Sequence, residues 1–273
     1  MIKNKVAVIT GAGGVLCSEF AKGLAAEGVT AVLLDINKDA VFSVADEINK
    51  SGGNALAYEC DVLNRDSLEN VRKDILAKVG KCDILINGAG GNSKRATLDK
   101  EYYELGDESS DVKTFFNLNK EDFGFVFDLN LVGVLLPTQV FSKDMINRDG
   151  VIINISSMNA FRPLTKIPAY SCAKSGVSNL TMWLSTYFAA AKIRVNAIAP
   201  GFFVTKQNKD LLFCDGKPTK RTEKILNATP MGRFGKPEEL LGTLYWLCDN
   251  EKSSFVTGTV IPVDGGFSAY SGV

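Results

Sequence analysis

The chain has 273 residues, 45% of them hydrophobic, with 31 basic and 31 acidic side chains and no histidine. That length suits one large α/β domain, and a formal net charge of zero points away from nucleic-acid or anionic-membrane partners. The absence of histidine excludes a Ser-His-Asp triad, a histidine general base and a histidine-ligated zinc, and the six cysteines form no Cys-x-x-Cys pair, so no metal site is expected.

A strand begins within a few residues of the first, leaving no room for a signal peptide, and no apolar run approaches membrane-spanning length. A cytoplasmic protein with reduced thiols is therefore expected. Lys5-Val6-Ala7-Val8-Ile9-Thr10 reads as a short apolar strand. Gly11-Ala12-Gly13-Gly14 follows, then a helical pattern with Leu16, Phe20 and Leu24 on one face and Gly28 at its end. Strand, glycine turn and helix together cradle a pyrophosphate, because glycines let the backbone approach and the helix N-terminus favours an anion. The bland alternative is a plain turn. Thr30-Ala31-Val32-Leu33-Leu34-Asp35 reads as the second strand. An acid at its carboxyl end hydrogen-bonds a ribose 2′-hydroxyl and repels a 2′-phosphate. With no cation in Ala12-Gly13-Gly14 and Ile36 after Asp35, NAD is favoured over NADP, against the alternative that Asp35 only caps the next helix.

A helix over 39–50 leads through Gly52-Gly53 to a strand ending at Cys60-Asp61-Val62. A helix over 65–79 precedes Cys82-Asp83-Ile84-Leu85-Ile86-Asn87-Gly88-Ala89-Gly90, whose strand end lines the same crevice. Residues 92–118 are polar, with aromatics at Tyr102, Tyr103, Phe115 and Phe116. They read as an insertion near an active-site mouth, or as a surface flap that aids assembly. A largely apolar helix over 123–145 carries Asn130, whose amide needs a partner. The strand Val151-Ile152-Ile153-Asn154-Ile155 then runs into Ser156-Ser157. Tyr170 and Lys174 follow, four residues apart and on one helix face. A cation within roughly 4–6 Å favours a phenolate, and Pro168 at the first turn puts Tyr170 near the positive helix end. Lowering a tyrosine pKa from about 10 to about 7 takes about 4 kcal/mol from these two sources. An amphipathic helix with a surface lysine is the bland alternative, and Ser157 at the preceding strand end weakens it. A strand over 193–199 ends in Pro200-Gly201, residues 206–229 read as a substrate lid with a helical piece near 211–213, and a helix over 238–248 precedes a last strand over 259–263. Strands alternating with helices argue a parallel sheet covered on both faces.

Ser157, Tyr170 and Lys174 resemble the catalytic set of the short-chain dehydrogenase/reductases, and the resemblance covers nearly the whole sequence. It implies a doubly wound Rossmann-type sheet of seven strands in a single domain. It implies a phosphate cradle of Thr10, Gly11, Gly13, Gly14, Val15 and Leu16, although Val15 and Cys17 stand where the pattern Thr-Gly-x-x-x-Gly-x-Gly has its later glycines. Asp61 and Val62 would flank the adenine. Asn87, Gly88, Ala89 and Gly90 resemble Asn-Asn-Ala-Gly, with Gly88 replacing the second Asn. Pro200, Gly201, Val204 and Thr205 resemble Pro-Gly-x-x-x-Thr, which contacts the nicotinamide carboxamide. Asn130 would be the fourth catalytic residue, holding a water near Lys174, and Lys174 would also hold the nicotinamide ribose. The resemblance implies a homotetramer with Gly265, Gly266 and the last strand near an interface.

The implied reaction is an NAD-dependent interconversion of a secondary alcohol and a ketone; a dinucleotide-sensing protein without catalysis and a scaffold whose insertion binds a partner are the alternatives. Arg162, Lys166, Lys94 and Arg95 emerge near the substrate end, where an arginine can hold a carboxylate. Solvated surface cations are the alternative. Gly13-Gly14-Val15-Leu16-Cys17, the insertion, Ser157-Met158-Asn159-Ala160-Phe161-Arg162-Pro163 and Gly266-Phe267-Ser268-Ala269-Tyr270 together resemble one branch of that family, the D-mannonate oxidoreductases or fructuronate reductases. That resemblance implies D-mannonate and D-fructuronate as the substrate pair, with a keto-gluconate type sugar acid or a 3-oxoacyl thioester as alternatives.

Overall fold

The structure is a computed structural model describing residues 2–205, 212–214 and 217–272. The chain alternates strand and helix: β1 (Val6–Thr10), α1 (Val15–Ala26), β2 (Thr30–Asp35), α2 (Lys38–Lys50), β3 (Asn54–Glu59), α3 (Arg65–Lys78) and β4 (Ile84–Asn87). Then follow α4 (Lys120–Phe127), α5 (Gly133–Phe141), β5 (Gly150–Ile155), α6 (Pro168–Tyr187) and β6 (Ile193–Pro200). A small antiparallel ribbon, β7 (Phe213–Cys214) with β8 (Lys217–Pro218), leads to α7 (Lys220–Asn227), α8 (Leu241–Cys248) and β9 (Val260–Val263).

Seven strands form one parallel sheet in the order β3-β2-β1-β4-β5-β6-β9, the Rossmann-like α/β fold. Every residue of β1, β4, β5 and β6 is buried, because helices cover both faces and the strands therefore read as apolar runs rather than alternating ones. Within β1 the pleat still sorts side chains. Ala7 and Ile9 join Phe20, Leu24 and Leu33 in one core, while Val6 and Val8 join Leu68, Ile75 and Leu85 in the other. Burying a side chain such as Phe20 contributes about 1.5–3 kcal/mol.

Strand order reverses between β1 and β4, where Thr10 lies beside Asn87. In open α/β sheets this switch point is where ligands bind, beyond the carboxyl ends of the strands. A buried amide network ties the sheet to the helices there. Asn87 Nδ2 donates to Thr138 Oγ1 (3.0 Å) and Asn154 Oδ1 (2.9 Å), and Asn154 Nδ2 donates to Thr181 Oγ1 (2.9 Å).

Several boundaries differ from expectation. β3 stops at Glu59, and Asp61 instead closes the following turn by accepting from the Leu63 N–H (2.9 Å). The long helix begins earlier, at Lys120, because the Asn119 side chain caps it by accepting from Asp122 N. It continues through a π-helical turn, Asp128–Val132, and α5 to Asp144. One 18-residue window within its 25 residues reaches a mean hydropathy of 1.5, long and apolar enough by composition to cross a membrane, which corrects the expectation that no run attains such length. Asp128, Asn130 and Gln139 interrupt the apolar run in the sequence but not the helix. The helix packs against α3, α6 and β4.

Residues 206–211 and 215–216 of the expected lid, with Leu211 of its helical piece, lie outside the described residues. The rest of that stretch includes α7, whose Thr219 cap accepts from Thr222 N. The stretch 92–118 carries short 3-10 turns and is tied to the segments around it. Leu98 N donates to the Lys166 carbonyl (2.8 Å), Lys166 Nζ donates to the Asp99 carbonyl (2.6 Å), and Lys224 of α7 pairs with Glu101 (2.8 Å). Tyr102, Tyr103, Leu105, Phe115 and Phe116 on it are exposed.

Candidate active site

A cleft of about 590 Å³ opens over the carboxyl ends of β1, β4 and β5. One end is lined by Asp35, Ile36, Asn37, Asp61 and Val62, the middle by the glycine turn and Gly88-Ala89-Gly90, and the other end by Ser157, Tyr170, Lys174 and Thr205.

The turn after β1 is drawn tight. Gly11 has φ +67°, and a Cβ there would sit 2.8 Å from the Ala89 nitrogen. Gly14 is the extended cap of α1, which begins at Val15. Gly13 N donates to Asp35 Oδ2 (2.9 Å) and Asn37 N to Asp35 Oδ1 (2.8 Å). Asp35 thus fixes the turn as well as facing the cleft. Asn37, not Asp35, caps α2 by accepting from Ala40 N. Among the described lining residues Lys174 is the only cation, and it lies at the far end from Asp35 and Asp61.

At the other end, Ser157 leaves β5 in an extended conformation and its Oγ accepts from Asn159 N (3.2 Å). α6 opens on Pro168, which supplies the fixed φ of a first helical residue. Tyr170 and Lys174 lie one turn apart on it, with Nζ 5.7 Å from the Tyr170 ring centroid. Lys174 Nζ donates to the Ile155 carbonyl (2.7 Å). Burial pushes the Lys174 ammonium down to about 8, with the nearby Cys17 opposing that shift. Burial also pushes the Tyr170 phenol above its ordinary value, against a hydrogen bond with Ser157 that lowers it. This corrects the expected direction: desolvation outweighs the Ser157 hydrogen bond, so Tyr170 holds its proton through neutrality.

Asn130 sits in the π-helical turn, which carries its side chain inward. Its Oδ1 accepts from Gly91 N (3.1 Å), and its Nδ2 donates to the carbonyls of Gly91 (2.8 Å) and Val126 (2.8 Å). A Cβ at Gly90 would lie 2.6 Å from Asn130 Oδ1 and 3.3 Å from Lys174 Nζ, so only glycine lets this segment lie against both.

Gly11, Gly13, Gly14, Val15, Leu16, Pro200 and Gly201 line the cleft as expected, whereas Thr10 and Asn87 lie fully buried behind it. Thr10 Oγ1 accepts from Gly88 N (3.0 Å) and Ala89 N (3.2 Å). Val204 is half-buried beside the cleft rather than in its lining. The four expected substrate cations are not among the lining residues either. Arg162 Nε donates to the Ser268 carbonyl (2.9 Å), Lys166 reaches Asp99, and Arg95 lies 3.3 Å from Asp122 and over the Phe125 ring. Lys94 opens the 3-10 turn Lys94–Ala96. Sequence reasoning assigns no site role to Cys17, Gly91, Leu129, Phe202 and Phe203, all of which line the cleft. The pair Phe202-Phe203 directly after Pro200-Gly201 is the available signal: two aromatics leaving a strand end at a switch point.

The residues present fit a dinucleotide. The glycines at 11 and 90 keep the backbone bare where any side chain would collide, and the cleft runs unbroken from an acid to a serine–tyrosine–lysine group. The family model for short chain dehydrogenases matches residues 5–212. An uncharacterized oxidoreductase of Haemophilus influenzae is 58% identical over 100% of this chain and 96% of its own length. An uncharacterized oxidoreductase of Bacillus subtilis, UxuB, is 51% identical over 100% of this chain and 98% of its own. A crystal structure of a candidate D-mannonate oxidoreductase from Haemophilus influenza, with NAD bound, superposes with a TM-score of 0.95 at 58% identity, covering 99% of this chain and 97% of that one. The protein belongs to the short chain dehydrogenase family and is an oxidoreductase acting on CH–OH groups.

Proposed function

We propose that this oxidoreductase uses NAD to interconvert D-mannonate and D-fructuronate, with Ser157, Tyr170, Lys174 and Asn130 as its catalytic residues. The observation that carries the reading is the meeting of Ser157, Tyr170 and Lys174 at one end of a cleft whose other end is acidic. The family takes NAD or NADP. Here Asp35 and Asp61 leave no cation for a 2′-phosphate among the described lining residues, which favours NAD.

Gly11, Gly13, Gly14, Val15 and Leu16 would hold the pyrophosphate against the N-terminus of α1, with Thr10 buttressing the Gly88-Ala89-Gly90 segment. Asp35 would take the adenosine ribose, Asp61 and Val62 the adenine, and Val204 and Thr205 the carboxamide. When bound, the nicotinamide gives or accepts the hydride. Tyr170 Oη, held protonated by burial, donates its proton to the carbonyl oxygen in reduction, and in oxidation only its deprotonated form takes one from the hydroxyl. Ser157 Oγ, which receives the Asn159 N–H, would turn its own hydrogen from Tyr170 to the reacting oxygen, where charge develops. The Lys174 ammonium would hold the ribose hydroxyls beneath Tyr170. Asn130 keeps Gly91 and the floor of the cleft in place.

The substrate pair rests on similarity to the NAD-bound structure, not on Arg162, Lys166 or Arg95, which are engaged elsewhere. The stretch 92–118, tied to α7 through Glu101 and Lys224, would act with 206–229 as the lid of one domain. A homotetramer and a cytoplasmic setting complete the reading, the latter supported by five free cysteines among the described residues. A panel of D-fructuronate, a keto-gluconate, a neutral ketose and a 3-oxoacyl thioester, followed by NADH absorbance, tests it. Faster turnover of the ketose or thioester than of D-fructuronate would remove the substrate while leaving the oxidoreductase class.

A further inference from the structure

We propose that Cys17 and Gly88 form one steric unit that positions the Gly88-Ala89-Gly90 segment under the dinucleotide, each residue being permitted only by the other. The inference rests on the dinucleotide site proposed above. Both positions depart from the family pattern, which has a glycine where Cys17 stands and an asparagine where Gly88 stands. The two departures meet in space.

Gly88 is not among the residues with positive φ, so its backbone does not require glycine. What forbids a side chain is the thiol: a Cβ at 88 would lie 2.1 Å from Cys17 Sγ. Its next neighbours are the Thr10 carbonyl oxygen at 3.0 Å, a tight backbone contact that has to give by a few tenths of an ångström, and Ile155 Cγ1 at 3.6 Å, an ordinary van der Waals distance. The sulfur therefore occupies space that a side chain at 88 would fill. The segment cannot move away from it. Gly88 N and Ala89 N are both held by Thr10 Oγ1, and Gly11 presses from the same side so closely that a Cβ there would meet the Gly88 oxygen at 2.9 Å. A methyl at 88 must displace the sulfur, and Cys17 borders the cleft. The thiol is 5% exposed and burial holds it protonated, with its pKa pushed up to about 12. It acts as a neutral filler, not as a nucleophile.

The test compares the full-length protein with Gly88→Ala, Cys17→Ala and the double variant. The readouts are NADH affinity by fluorescence titration, thermal midpoint without NADH, and iodoacetamide labelling of Cys17 by mass spectrometry. Gly88→Ala is expected to weaken NADH by about tenfold or more, the usual consequence of overpacking, and to speed labelling of Cys17. Cys17→Ala opens a small void and weakens NADH by up to about fivefold. The double variant is expected to bind NADH at least about threefold more tightly than Gly88→Ala, because the two changes share one contact. A double variant as weak as Gly88→Ala, or a Gly88→Ala protein equal to the parent, overturns the proposal. Coupling seen only in the thermal midpoint, with NADH affinity unmoved, reduces the pair to packing and overturns its positioning role. If Gly88→Ala does not fold, recovery of folding and NADH binding in the double variant is the deciding result. A parent protein that binds no NADH would defeat the dinucleotide reading instead, while the midpoints still report the steric coupling.

Discussion

Tyr170 and Lys174 are both desolvated, and the consequences have opposite signs. Raising the pKa of a phenol keeps it neutral, so Tyr170 is a proton donor at neutral pH; oxidation, which needs it to accept a proton, is expected to gain with rising pH. Lys174, pushed down to about 8, is cationic below that value and neutral above it. NADH affinity, and kcat/KM for NADH, is therefore expected to fall as pH rises past about 8; a flat profile to pH 10 would remove Lys174 from the ribose. Asp35 carries two duties because its two oxygens also accept from Gly13 and Asn37. Asp35→Ala is expected to weaken NAD by about tenfold or more through loss of the proposed ribose contact and the freed turn. It should also narrow the preference over NADP without making NADP a good cofactor. A comparison of kcat/KM for NAD and NADP in both proteins checks this.

At the scale of elements, the strands are the most legible part. The Thr30–Asp35 strand has the bounds the sequence pattern predicts, because a strand buried on both faces announces itself as an apolar run. The spacing of Tyr170 and Lys174 on a helix opened by Pro168 is equally plain. What the sequence hides are features created by contact. The π-helical turn that swings Asn130 onto Gly91 depends on a partner 39 residues away. The engagement of Arg162 with Ser268 depends on one 106 residues away. The sequence misleads on the direction of the Tyr170 shift because the helix and cation are visible in it and the burial is not. The Asn130 contacts have a measurable worth. Asn130→Ala strips partners from Gly91 N and its carbonyl, and leaving such groups unpaired costs about 1–3 kcal/mol each. A loss of about 2 kcal/mol or more in denaturant unfolding is expected, with weaker NADH binding. Unchanged stability would mean that water replaces the amide.

For the molecule as a whole, the sheet order places the glycine turn and the end of β4 at the reversal point, and the serine and tyrosine follow from the next strand and helix. One surface asks for a partner. Trp183 and Tyr187 stack at 4.9 Å on the exposed side of α6, beside exposed Met182. Large apolar groups so placed favour an interface. Light scattering is expected to report a tetramer, and Trp183→Glu to yield smaller species; a parent protein that is already monomeric would refute this. In the function proposed above, Ser157, Tyr170 and Lys174 work on a sugar-acid carbonyl with a dinucleotide beside them. Its most direct test is the NADH absorbance of the purified protein mixed with D-fructuronate, run beside Tyr170→Phe. The parent protein is expected to consume NADH, and the variant to bind NADH while consuming almost none. Comparable consumption by Tyr170→Phe would contradict it, because the protein has no histidine to carry the proton instead.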